Sequence, residues 1–169
     1  MAPLAQGFAV RREWLKLLAA DQPLQQQPLN EAGQQLQIKI GDIIEEHVEV
    51  VNAEDRTYVA IVVPLAAGLE PMNPQLATAP AEAKPHGKLT LKPTYAAYLD
   101  DQVAFYFDSL PKGNYHFYFR TRASIEGRFI QPAAYAELMY EEAVNGNSAG
   151  ARVVIEKADN NAKEQAEMP

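Results

Sequence analysis

The residues of this chain whose types suit chemistry are few, and their spacing does not bring them together. There are three histidines, His47, His86 and His116. His47 follows Glu45 and Glu46, but a zinc helix needs a second histidine four residues on from the first, and none follows. Placed on strands, His47 and His116 are expected on the surface of a sheet. No serine lies in the G-x-S-x-G elbow that exposes a nucleophile. Ser148 belongs to the glycine-rich run Gly146-Asn-Ser-Ala-Gly150. Such loops hold phosphate when a helix follows and points its N-terminus at the anion. Here an extended segment follows, so a turn is expected. Asp100 with Asp101 and Glu141 with Glu142 are carboxylate pairs, the groups that glycosidases and calcium sites use. Neighbours on an extended strand point to opposite faces, which makes these pairs solvated turn acids. Ile125 to Arg128 spells a protease-recognition tetrapeptide within a strand–turn–strand junction. With no cysteine there is no disulfide, thiolate ligand or cysteine nucleophile. Neither a cofactor nor a metal site is expected, and the chain does not read as an enzyme.

Stacking needs no catalytic group. Tyr95, Tyr106 and Tyr118 are candidates for a platform that binds sugars, as in a stand-alone adhesion or carbohydrate-binding module of the cell envelope. Ordinary cross-strand pairing explains the same residues. The net charge of -7 opposes nonspecific binding to nucleic acid or anionic lipid. No apolar run approaches the roughly 20 residues of a membrane helix.

The elements that carry these residues are strands. From Val103 to Arg120 the pattern reads as two strands folded back around Leu110 to Gly113. Val103, Phe105 and Phe107 share one face, and Tyr115, Phe117 and Phe119 share one face of the partner. Phe8, Val10 and Trp14 alternate in a first strand, with Arg11, Glu13 and Lys16 toward solvent. A helix from Trp14 to Ala20 is the rival reading. Arg11, Arg12, Glu13 and Lys16 interrupt any apolar core, so the segment reads as part of the fold and not as a leader. Asp21 to Gly33 reads as a connector. Strands follow at Leu36–Ile40, Ile43–Val51 and Tyr58–Val63. In the second, Ile44, Val48 and Val50 oppose Glu45, His47 and Glu49. Pro71 to Pro93 is a proline-rich excursion with a short strand at Lys88 to Lys92. Tyr135, Leu138 and Met139 suit one face of a short helix within Pro132 to Glu142. Arg152 to Glu156 is the last strand. The fold class is therefore all-β, an antiparallel immunoglobulin- or macroglobulin-like β-sandwich with one short helix. It occupies residues 1–157, and residues 158–169 form a flexible polar tail.

Several phrases stand in a fixed order: Ile40 to Ile44, Tyr58 to Pro71, Asp101 to Tyr115, Gly127 to Pro132, Ala136 to Tyr140 and Gly150 to Val154. Together, from about Phe8 to Glu156, they resemble the C-terminal, receptor-binding-like macroglobulin domain of the bacterial alpha-2-macroglobulins. Where relatives resemble Asp-Pro-Leu-Pro-Ala-Gly, Val63 to Gly68 lacks the acid and the second proline. The resemblance implies a non-catalytic scaffold domain of a large protease-trapping protein of the periplasm or cell envelope. Its implied partners are the thioester domain and other macroglobulin-like domains, of the same or an adjacent chain. Proteases are met only indirectly. The trap couples through a cysteine–glutamine thioester, which a chain without cysteine cannot form alone. The resemblance also implies a partner interface at Tyr135, Met139 and Tyr140, a tyrosine-bearing loop that covers the thioester.

Overall fold

The computed structural model describes residues 4–16, 25–28 and 33–158. These residues form an all-β, sandwich-like domain whose one helical piece is a three-residue 3-10 turn, Ala81–Ala83. The strands are β1 (Leu4–Gln6), β2 (Phe8–Lys16), β3 (Gln25–Pro28), β4 (Gln34–Lys39), β5 (Ile43–Asn52), β6 (Arg56–Pro64) and β7 (Leu69–Met72). They continue as β8 (Tyr95–Tyr98), β9 (Gln102–Leu110), β10 (Gly113–Ala123), β11 (Gly127–Gln131), β12 (Tyr135–Leu138), β13 (Glu141–Asn147) and β14 (Ala151–Glu156).

Three sheets result. A six-stranded sheet runs β1-β13-β12-β6-β9-β8, a five-stranded sheet β3-β2-β5-β10-β7 and a three-stranded sheet β11-β14-β4. All ladders between named strands are antiparallel except β4 with β14. A long stretch of chain separates that pair, as a parallel pairing requires. Val59, Ile61, Val63, Phe105 and Phe107 of the six-stranded sheet meet Phe8, Trp14, Val48, Phe117 and Phe119 of the five-stranded one. Leu36, Ile38, Val153 and Ile155 of the third sheet join the same core. Each large apolar side chain buried in this way contributes about 1.5–3 kcal/mol.

The expected hairpin from Val103 to Arg120 is not a hairpin. β9 pairs with β6 and β8, whereas β10 pairs with β5 and β7. The turn at Pro111 and Lys112 carries the chain from one sheet to the other. Phe105 and Phe117 stack across the core with ring centroids 4.9 Å apart, and Phe107 meets Phe117 edge-on at 5.8 Å. Period-two alternation says which side chains face inward. It is the same whether two strands pair edge to edge or pack face to face.

The expected short helix within Pro132 to Glu142 is also absent: β12 and β13 occupy that stretch. Tyr135 to Leu138 pair on one side with Val62 to Val59 and on the other with β13. These long-range ladders override a local spacing that fitted a helix over only a few residues. No strand forms at Lys88 to Lys92, where one backbone bond, Thr90 N–H to His116 C=O at 3.2 Å, ties the segment to β10. Most of the expected connector at Asp21 to Gly33, the alternative helix beyond Lys16 and all but the first residue of the polar tail lie outside the described residues.

Candidate interface and the two faces of β5

β12 and β13 form a true hairpin, and its tip carries two of the three residues expected at a partner interface. Met139 and Tyr140 make the two-residue turn, with Met139 46% and Tyr140 81% exposed. The register between the two strands shifts at Glu137/Leu138, so the hairpin is bulged just behind the tip. Tyr58 on β6 is half exposed and meets Tyr140 edge-on, ring centroids 5.5 Å apart. The Met139 N–H donates to the Tyr58 carbonyl at 2.9 Å. Among the described residues Tyr58 is the one non-glycine with positive φ, at 55°. An aromatic residue there is an outlier that costs on the order of 1–3 kcal/mol and persists only where its surroundings enforce it. Thus Tyr58, Met139 and Tyr140 form an exposed apolar cluster on a strained support. Sequence reasoning missed Tyr58, because nothing in a strand pattern signals a left-handed residue.

Tyr135 stands apart from this tip. It lies on the outer face of the six-stranded sheet, against a small buried cluster of Ala60, Val62 and Ala104 shared with Tyr106. Burial, then Glu137 and Tyr106, push its hydroxyl pKa up, so it stays a neutral phenol. Tyr95 and Tyr106 stack on the same sheet with centroids 6.0 Å apart. Tyr118 sits on β10 in the other sheet, stacked on His47 at 4.4 Å. The three tyrosines therefore do not make one sugar platform.

The five-stranded sheet buries charged side chains on both of its faces. Arg12 and Glu46 face the sandwich interior with fully buried side chains. Arg12 donates to Glu46 twice, Nε to Oε2 at 2.9 Å and Nη2 to Oε1 at 2.7 Å. Trp14 Nε1 adds a third donor to Glu46 at 2.9 Å, and Arg12 Nη1 reaches the Pro132 carbonyl at 3.2 Å. The pair thus ties β2 and β5 to the turn that leads into β12.

Glu45, one residue earlier, points to the outer face and is 1% exposed. The connection 73–94 crosses that face as a strap. Glu45 accepts from Arg120 Nε at 3.0 Å and from the backbone N–H groups of His86 at 2.7 Å and Gly87 at 3.2 Å. A Cβ at Gly87 would overlap the Tyr118 ring, so only glycine lets the strap lie so close. Beside it, Glu13 Oε1, His47 and His116 form a chain: 2.6 Å to His47 Nδ1, then 2.8 Å from His47 Nε2 to His116 Nδ1. Residues 69 apart in sequence meet because β5 and β10 are neighbours. No group of three or more His, Asp or Glu side chains is placed to hold a metal among the described residues. No described helix is long and apolar enough to cross a membrane.

A family model for the bacterial alpha-2-macroglobulin MG10 domain matches residues 7–142. An alpha-2-macroglobulin homolog of Nostoc sp. is 25% identical over 154 residues, which are 89% of this chain and 8% of the relative. The chain therefore spans less than a tenth of that curated relative. Escherichia coli alpha-2-macroglobulin activated by porcine elastase superposes with a TM-score of 0.70 at 15% identity, over 92% of this chain and 14% of the other. Salmonella alpha-2-macroglobulin reacted with methylamine gives 0.66 at 18% identity, over 92% and 10%. At these identities the solved structures speak to fold alone, but the family model covers most of the chain, and the chain belongs to the bacterial alpha-2-macroglobulin MG10 domain family.

Proposed function

We propose that this domain is a non-catalytic scaffold of a bacterial, envelope-associated protease trap, and that it covers the thioester domain with the tip of its β12–β13 hairpin. The observation that carries this reading is the exposed cluster of Tyr58, Met139 and Tyr140, with Tyr140 81% exposed beside the strained Tyr58. Large apolar side chains grouped at a bulged hairpin tip suit burial against a partner. Strain at such a point is typical of functional contacts. Buried against a thioester, a phenol and a thioether exclude water, and exclusion of water slows hydrolysis. Tyr135, on the outer face of the same sheet, extends the contact along β12. Other macroglobulin-like domains of the same or an adjacent chain are its further partners, and proteases are met only through them.

The test is Tyr140→Ala in a chain that also carries the thioester domain. The variant is expected to release the thioester's free thiol several-fold faster in buffer. An Ile125→Ala control, at an exposed residue in the β10–β11 turn away from the hairpin tip, is expected to leave the rate unchanged. An unchanged rate in Tyr140→Ala overturns the shielding role.

A further inference from the structure

The strap does not lie flat. Between it, β10 and β8 there is a cleft of about 900 Å³, lined on the strap side by Lys84, His86 and Lys88 and on the strand side by Tyr98, Tyr118 and Arg120. Small-molecule sites typically measure about 300–1,000 Å³. Its charge runs against the rest of the molecule. The chain carries a net -7, yet this lining brings together Lys84, Lys88, Arg120 and a histidine against Glu82; Glu45 beneath the cleft pairs with Arg120, so the two lysines supply the excess. Lys84 and Lys88 make no ion pair with any described residue.

Arg120 is the telling residue. It is only 4% exposed. Its Nε is bound by Glu45 and its Nη1 by the Glu82 carbonyl at 3.0 Å. Nη2 is shielded from solvent and has no hydrogen-bond partner. A buried donor left unmet is costly, more so on a charged group; because Nη2 is shielded, the guanidinium contributes to the cleft through its charge from behind the wall and not through a direct hydrogen bond. Glu45 is already engaged by Arg120, His86 and Gly87. The Tyr98 hydroxyl pKa is pushed up by burial; that of Tyr118 is pushed up by burial and then by Glu13, Glu45 and Glu49. Both phenols therefore keep their protons and can donate to an anion. Leu89, Pro74 and Pro85 line the rest of the cleft, which gives it an apolar wall that a bare inorganic ion would not use.

We propose that this cleft is a binding site for a small organic anion. Its carboxylate or phosphate is met by Lys84 and Lys88 with the Arg120 guanidinium behind them, and its body rests on Tyr118 and the strap prolines. The site is independent of the hairpin tip.

The test is calorimetric titration of the full chain with glucuronate and with glucose 6-phosphate, with neutral glucose as the control. Saturable binding of at least one charged sugar is expected, and none of glucose; the sugar that binds tells whether carboxylate or phosphate is the preferred group. Replacing Lys84→Gln and Lys88→Gln together, both on the strap and outside the core, is expected to weaken binding by roughly tenfold or more, the loss typical of charge-assisted hydrogen bonds. The pair Lys112→Gln and Arg128→Gln, which lies outside the cleft, is expected to leave it unchanged. Failure of both charged sugars to bind overturns the proposal. So does glucose binding as tightly as they do, or an unaltered affinity in the Lys84/Lys88 variant.

Discussion

Glu45 and Glu46 are neighbours on β5, and both are buried, yet they are buried by different means. Glu46 faces inward and is closed off by two packed sheets, its charge met by Arg12 and its second ligand the Trp14 indole. Glu45 faces outward, where a single sheet would leave it wet, and is closed off by the strap. Water can reach Glu46 only by unfolding the sandwich, whereas it can reach Glu45 if the strap alone lifts. One strand thus carries one carboxylate that belongs to global stability and one that belongs to a local, openable cover.

The sharpest way to break this comparison is at Glu46. Arg12→Met leaves a buried carboxylate without its counter-charge and is expected to cost about 3–5 kcal/mol in a denaturant titration. Arg12→Met combined with Glu46→Leu removes the stranded charge. The double variant is expected to regain much of that loss. A residual of about 1–3 kcal/mol should remain, from the Trp14 N–H and the Pro132 carbonyl losing their partner. A double variant no more stable than the single one would mean that the pair serves packing and not charge compensation.

A smaller effect is expected at Glu45. Glu45→Gln keeps the shape but weakens the hold on Arg120 and on the strap's two N–H groups, by about 1.5–3 kcal/mol as for hydrogen bonds to a charged group. The loss should be local. Amide hydrogen exchange is expected to quicken across residues 73–94 while β2 and β5 stay protected. Uniform loss of protection across the five-stranded sheet would show that the strap is part of the cooperative core.

How much of this was legible in the sequence follows the same division. Inward-facing apolar positions were readable wherever alternation was regular: Phe8, Val10 and Trp14, then Ile44, Val48 and Val50, then Phe105, Phe107, Tyr115, Phe117 and Phe119 all lie in the core. Parity alone places Arg12 with Phe8 and Val10, and Glu46 with Ile44 and Val48. Their charge argued the other way, because sequence does not show that each supplies the other's counter-ion. Partner choice was not legible either. β9 and β10 alternate as a hairpin would but join different sheets, and Tyr135 to Leu138 fit a helix until β6 and β13 take up their backbone groups. The strap was legible as a proline-rich excursion between strands, but its attachment was not, since its hold depends on a carboxylate some 40 residues away. At the hairpin tip Met139 and Tyr140 were named from a resemblance and do sit together, while Tyr58 joins them through a ladder and a backbone angle that composition does not encode.

The smallest effect is expected at the tip itself, and it separates presentation from support. Tyr140 is 81% exposed and its described ring contact is the edge of Tyr58 at 5.5 Å. An aromatic pair contributes about 0.5–1.5 kcal/mol when well packed, and this one faces solvent. Tyr140→Ala in the isolated chain is therefore expected to change stability by no more than about 0.5 kcal/mol, as exposed substitutions do. The exposed Tyr140 surface gains little from water and nothing from the core, so its apolar area is free to be used against another domain. A loss as large as that of Glu45→Gln would show instead that the ring caps β6 and β12 in the free domain. The hairpin tip would then be support for the sandwich, and the shielding role would lose the surface on which it rests.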